Sequence, residues 1–327
     1  MKRRLGLILA VLASVGLFWT SGPSAAAEKI SVVVNPSFGF AFIFDLNRFA
    51  KKYDLELTFR RMATFGQQQQ ALELGQADVG TIGYQNLVLM AVAGGAPKAQ
   101  AVAGVYLSGQ DVVFNKNVKI TKWKDIEGKT IARIPGTFAE FLFRAAAIHN
   151  GVDLSKVKLK DFAYSPSTLT LSLERRDIDG LVIWVPTLAY PIAKGVGYRP
   201  PISVNDTPVG NINALFAASR SFIEGRPDVL VKLMKAYVEA VDAYVKDPDI
   251  WVKQARAITG AEQDVLKESL NHITLHAKMY PARARELAKL SHSLNMVKKD
   301  VSGTITQWMR FDFLQKATGK SLKELGG

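Results

Sequence analysis

One stretch of this chain is echoed by another about a hundred residues later. Pro36, Phe42, Phe44, Asp54 and Leu55 reappear as Pro135, Phe141, Phe143, Asp153 and Leu154 at a constant offset of 99. Leu72, Glu73 and Asp78 reappear as Leu173, Glu174 and Asp179 at an offset of 101. A repeat of that length constrains architecture more than composition does, because each copy must build the same local frame. The first copy reads as strand 30–34, helix 42–52, strand 55–59, helix 67–74, strand 78–82, helix 86–93 and strand 99–106. The second reads as strand 130–134, helix 138–149, strand 157–162, helix 168–175 and strand 180–185. β-branched runs such as Ile30–Val34 alternate with helical apolar spacing, which predicts parallel βαβ units and an α/β fold.

After residue 200 the pattern changes. A strand over 213–218 is expected to return to the first unit. Arg226-Pro227-Asp228 then opens a long helix, with proline suited to its first turn. Leu230, Leu233, Met234, Tyr237, Val238, Val241 and Tyr244 lie on one stripe of that helix. Further helices are expected over 249–258, 262–277, 281–294 and 302–318, forming a packing layer. The predicted division is therefore a lobe of 28–107 and 205–327, a second lobe of 108–204, and a leader of 1–27.

The leader has the order of a secretory signal peptide: Lys2-Arg3-Arg4, an apolar run Leu5–Trp19, then Ala25-Ala26-Ala27 before Glu28. The run is shorter than the ~20 residues a membrane span needs. The predicted location is the periplasm, and the absence of cysteine leaves no lipid attachment point. With no cysteine there are also no disulfides, thiolate metal sites or thiol nucleophiles. The formal charge is +13, or +10 without Lys2, Arg3 and Arg4. A basic surface suits anionic neighbours, but the bases are scattered rather than interleaved with aromatics, so a solvated basic surface is the better reading, and export argues against nucleic acid.

Ligands of open α/β sheets bind beyond the carboxyl ends of strands, beside helix N-termini with unpaired N–H groups. Turns there carry Ser37 and Phe38, Phe65 and Gln67, Tyr84 and Gln85, Gly136, Thr137 and Phe138, Ser165, and Trp184. Flat apolar walls with a few neutral polar anchors suit a small-molecule site. For any one of these polar residues, simple helix capping is an equal or better reading. Asp78 and Asp179 are expected to anchor backbone. Catalysis finds little support. No G-x-S-x-G, Walker or dinucleotide motif is present. His272 and His276 have a metal-compatible i, i+4 spacing on the predicted helix, but the H-E-x-x-H glutamate and a third ligand are missing. No catalytic residue, metal or cofactor is assigned.

Three segments resemble the nitrate/sulfonate/taurine/pyrimidine-type substrate-binding proteins of ABC transporters. They are Ala71-Leu72-x-x-Gly75-x-x-Asp78-Val79-Gly80; Asp125-Ile126-x-Gly128-Lys129-Thr130-Ile131 with Pro135-Gly136-Thr137; and Phe222-x-x-x-Arg226-Pro227-Asp228. The resemblance implies a two-lobed periplasmic-binding-protein type II fold with a hinge, closing on a solute and docking on an inner-membrane ABC permease as a monomer. Two positions depart from the family pattern. Val185-Pro186 stands where many members have Glu-Pro, and Arg176 stands where a glycine is usual. The abundance of aromatics points to an organic anion or an acidic heterocycle. The alternatives are a thiamine-pyrimidine-type enzyme of the same fold and a solute sensor for a membrane receptor.

Overall fold

The computed structural model describes residues 26–327, so the expected leader lies, but for its last two positions, outside the described residues. The strands are β1 (Glu28–Val34), β2 (Leu55–Arg61), β3 (Val79–Gly83), β4 (Ala99–Ser108), β5 (Gln110–Asn115), β6 (Thr130–Arg133), β7 (Lys158–Asp161), β8 (Gly180–Trp184), β9 (Gly197–Tyr198), β10 (Ile212–Ser219) and β11 (Ile273–Leu275). They form two sheets, ordered β11-β4-β10-β3-β1-β2 and β7-β6-β8-β5-β9. Each sheet with its helices makes one lobe.

The repeat seen in the sequence is a repeat of hydrogen-bond register. Val32 faces Val79 and Val33 faces Gly80 across β1 and β3. Ile131 faces Gly180 and Ala132 faces Leu181 across β6 and β8. These are the same pairs displaced by 99 and 101. The two aspartates play matched parts. Asp78 Oδ2 accepts from the Ser31 N–H at 2.8 Å, and Asp179 Oδ2 accepts from the Thr130 N–H at 2.7 Å. Each carboxylate holds the backbone of the neighbouring central strand, at the fourth residue of β1 and the first of β6. The helix ends correspond too. Gly75 and Arg176 both take left-handed backbone, at φ 66° and 64°. Each donates to the carbonyl three residues back, Leu72 and Leu173. Arginine at such a position carries roughly 1 kcal/mol of strain that glycine avoids.

The chain leaves the first lobe at Ser108-Gly109, two consecutive residues with φ of 61° and 83°. It returns through residues 199–211 into β10, which lies between β4 and β3. Helix Pro227–Lys246 buries Leu230, Leu233, Met234, Tyr237, Val241 and Tyr244, and the Tyr237 ring stacks on Phe216 at 4.9 Å.

Four features differ from the sequence reading. The helix expected over 42–52 is broken at Asp45, whose carboxylate takes hydrogen bonds from Arg48 at 2.7 Å and from the Tyr244 hydroxyl at 3.1 Å. Strand β5 was not anticipated, since it opens on the polar pair Gln110-Asp111. The helix expected over 262–277 ends at Leu270, and Ile273–Leu275 instead pairs antiparallel with β4 as an edge strand. The β-branched pair Ile273-Thr274 favours that outcome, and β4 offered an open edge. The helix expected over 302–318 is a short 3-10 turn, Ile305–Trp308, followed by helix Asp312–Thr318. Among the described residues no helix is long and apolar enough to cross a membrane.

Candidate functional site

In each lobe the central parallel strands end on the same side, and the turns that follow them lead into helices. The turn after β8 and, through Tyr106, the turn after β1 both approach the crossover at Ser108-Gly109. Gln110 pairs with Trp184 across β5 and β8, and the Val185 N–H donates to the Gly109 carbonyl at 2.8 Å. On the first-lobe side the Tyr106 ring is seated between two glycines. A Cβ on Gly109 would lie 3.3 Å from Tyr106 Cε2, and one on Gly39 would collide with the ring. Tyr106 in turn packs against Phe40 at 5.3 Å, and Phe40 meets Phe65 edge-on at 5.8 Å. On the second-lobe side Tyr164 lies parallel to Trp184, 5.2 Å away. An aromatic seam thus runs from Phe65 through Phe40 and Tyr106 to the hinge, and from there through Trp184 to Tyr164.

The anticipated residues separate into three groups. Phe65, Trp184, Ser37 and Gln85 are half-buried at strand ends, and the Ser37 side chain makes no capping hydrogen bond. Gln67, Thr137 and Ser165 cap helices. Thr64 and Gln67 form a reciprocal capping box with both bonds at 3.3 Å. Thr137 Oγ1 accepts from the Glu140 N–H at 3.3 Å, and Ser165 Oγ accepts from the Thr168 N–H at 3.4 Å. Phe38, Tyr84 and Phe138 are corrections to the sequence reading, because their rings lie in the lobe cores. Phe38 stacks on Trp251 at 4.9 Å; the Tyr84 hydroxyl accepts from the Tyr280 N–H at 3.0 Å; and Phe138 stacks on Phe141 at 5.9 Å. Tyr164, exposed beside Trp184, was not among the anticipated residues, and Tyr106, like Phe40, is buried in the first-lobe core.

The turn at Gly136 carries its own counter-charge. The Gly136 N–H donates to Glu140 Oε2 at 2.7 Å, so it is already engaged. Glu140 also binds Arg133 and, at 2.9 Å, Arg144, while Arg133 reaches Asp161 at 2.7 Å. Burial alone would raise the Glu140 carboxyl. The Arg144 contact, the Gly136 N–H and the Arg133 charge outweigh it and hold the group below its ordinary range. The first-turn N–H groups of Phe138 and Ala139 have no intrahelical partner. Gly136 has φ 76° with open space where a Cβ would point. A valine there would be strained, and would test backbone as much as binding.

A family model described as NMT1/THI5 like matches residues 48–250, more than half of the chain. The chain belongs to the NMT1/THI5-like family. It is 24% identical over 217 residues to the taurine-binding periplasmic protein of Escherichia coli strain K12, and the match spans 65% of this chain and 65% of that relative. The periplasmic aliphatic sulphonate binding protein SsuA from Escherichia coli shares the fold, with a TM-score of 0.73, 17% identity, and coverage of 86% of this chain and 92% of that one. The desulfurization enzyme DSZB shares it with a TM-score of 0.65 at 15% identity, covering 89% of this chain and 99% of that one. The fold of this family therefore includes both binders and an enzyme.

A chain of side chains ties this family member's two lobes together. Arg199 binds Asp111 and donates from Nη1 to His272 Nδ1 at 3.1 Å, and His272 Nε2 meets Glu268 Oε1 at 2.8 Å. Arginine only donates, so Nδ1 is the acceptor and Nε2 carries the proton of a neutral imidazole. Burial first, and the Arg199 charge second among the lowering causes, depress the His272 pKa, against the pull of Glu268. His272 and His276 flank the extended strand β11. Four residues of strand span ~13 Å, too far for two imidazoles to share a metal.

Both ring nitrogens of His276 are buried, and neither has a hydrogen-bond partner. Burial pushes it down to about 4, the Lys278 backbone pulling the other way and the Lys278 and Arg283 charges adding to the fall. Its folded pKa lies below the unfolded value near 6.5, so the unfolded chain binds the extra proton first. Stability is full above about pH 6.5 and falls as pH drops toward 4, by an amount on the order of 3 kcal/mol. Melting temperature recorded across that interval should show the decline, and His276→Leu should flatten it. An undiminished slope in the variant would assign the decline to other groups.

Proposed function

We propose that the protein is a periplasmic solute-binding protein, a monomer that takes up a small organic anion or acidic heterocycle between its lobes and hands it to an ABC importer in the inner membrane. The observation that carries this reading is the register repeat. Two equivalent βαβ frames are joined at Ser108-Gly109, and on this reading their strand ends and helix N-termini face one cleft. Closure about such a hinge would couple contacts from both lobes to a single change of shape, which a permease can sense. The names of the taurine- and sulphonate-binding relatives support the choice of solute class. The leader expected over 1–27 supports the location.

We read the protein as non-catalytic. The chain has no cysteine. His272 is committed to the hinge by Arg199 and Glu268, and His276 is sealed beneath β4, so neither is placed to transfer a proton in the cleft.

Purified protein screened by thermal shift against sulfonates and carboxylates should show a rise in melting temperature with at least one of them. Saturation at a hundred times Kd stabilises by about 2.7 kcal/mol. Small-angle scattering should record a smaller radius of gyration with the same compound. If no anion shifts the melting point or compacts the protein, the reading is wrong.

A further inference from the structure

Tyr164 is 49% exposed, yet it is held as firmly as a core residue. One face of its ring is covered by Trp184, with an angle of 8° between the planes. Its hydroxyl is bonded at 2.9 Å to Thr187 Oγ1, and Thr187 is 1% exposed. A solvent-facing tyrosine needs neither restraint. A ring fixed at its edge and backed by an indole presents its free face ready-made, with no side-chain ordering left for a ligand to impose. In the other lobe the half-buried Phe65 ring stands at the start of its helix.

The charges around the Gly136 turn point the same way. Arg133 and Arg144 are both taken up by Glu140. The acidic end of a solute at this turn would therefore meet the backbone N–H groups of Phe138 and Ala139 rather than a free guanidinium, since the Thr137 hydroxyl donates to the Ile134 carbonyl at 2.8 Å. With the anion held by neutral groups, the part of the solute that stacks must supply much of the selectivity.

We infer that the solute is an aryl anion, a sulfonate or carboxylate attached to a flat aromatic ring, and that Tyr164 backed by Trp184 is the residue that selects the ring. The inference rests on the solute-binding reading above and names its ligand class. A saturated ring of the same size and charge buries similar area but lacks the quadrupole that stacked aromatics use.

Isothermal titration calorimetry with matched pairs tests this: benzenesulfonate against cyclohexanesulfonate, and benzoate against cyclohexanecarboxylate, with ethanesulfonate as the short aliphatic reference. The aryl member of a pair should bind about tenfold tighter. Tyr164→Ala should abolish most of that preference, while Tyr164→Phe, which keeps the ring and drops the Thr187 bond, should retain most of it. Equal affinity within each pair, or a Tyr164→Ala loss shared equally by aryl and saturated ligands, would overturn the inference. Binding of ethanesulfonate without binding of either aryl anion would overturn it too, while leaving the solute-binding reading intact. No heat of binding from any of the five would remove both.

Discussion

Gly104→Ala should destabilise the protein by more than about 3 kcal/mol and lower its melting temperature by roughly 5–10 °C. Gly104 lies within β4, where the C-terminal segment crosses closest. A Cβ there would overlap the Lys278 carbonyl oxygen and stand 2.7 Å from His276 Cε1. The backbone on both sides is fixed. The Gly104 N–H donates to the Ala277 carbonyl at 2.9 Å, and the Gly104 carbonyl accepts from the buried Tyr237 hydroxyl at 2.6 Å. Making room for a methyl means giving up the 104–277 bond or pulling β4 away from Tyr237. Gly225→Ala is the control, because nothing lies within 4 Å of its added Cβ. Thermal melts of the two variants should differ sharply. A Gly104→Ala melting point within 1 °C of the parent would show that the segment yields freely.

Asp111→Ala should cost about 3 kcal/mol and loosen the connection between the lobes. One carboxylate, 3% exposed, serves the Arg199 guanidinium, Ser203 Oγ at 3.0 Å, and the N–H groups of Val204 at 3.0 Å and Val112 at 2.9 Å. Removing it strands the buried Val204 N–H. It also frees Arg199, which is itself the link to His272. Arg199 is partly open to water, so the lost ion pair counts for less than a fully buried one. Amide exchange across 199–211 should quicken by about a hundredfold, since 3 kcal/mol corresponds to roughly two orders of magnitude in an opening equilibrium. Asp111→Asn keeps one acceptor oxygen for the Val204 and Val112 N–H groups but turns the other into an amide donor facing Arg199 and Ser203, so it should fall between. Urea unfolding and exchange rates indistinguishable from the parent would remove Asp111 from the hinge.

The frame of the fold was legible because its signals are local. Ile30–Val34, the helix 138–149 and the long helix from Pro227 announce themselves in adjacent residues, and the paired offsets of 99 and 101 carried the register. β5 was not legible. Asp111 looks like a loop residue until Arg199 and Ser203, about ninety positions away, are known to satisfy it. β11 reads as helix from its own spacing, and only the open edge of β4 decides otherwise. The site was partly legible in the same sense. A strand followed by a turn locates an aromatic near the cleft, but a small rotation within the turn sends the ring outward or into the core. Phe38, Tyr84 and Phe138 turned inward, and Phe65 and Trp184 did not. Tyr106 and Tyr164 depend on partners beyond the local pattern: Gly39 and Gly109 make space for the one, and Trp184 and Thr187 hold the other.

The position of β10 between β3 and β4 sets an order of assembly. The second lobe's sheet is complete once Tyr198 has been made, because all five of its strands come from the uninterrupted stretch 110–198. The first lobe's sheet stays split until Ile212–Ser219 exists, since β3 and β4 bond to that strand and not to each other. A chain synthesised from its N-terminus therefore makes the first lobe's opening strands earliest and closes their sheet last. Until then two apolar strand edges stand open, each a template for mispairing. The lobe encoded first is the one that finishes folding second.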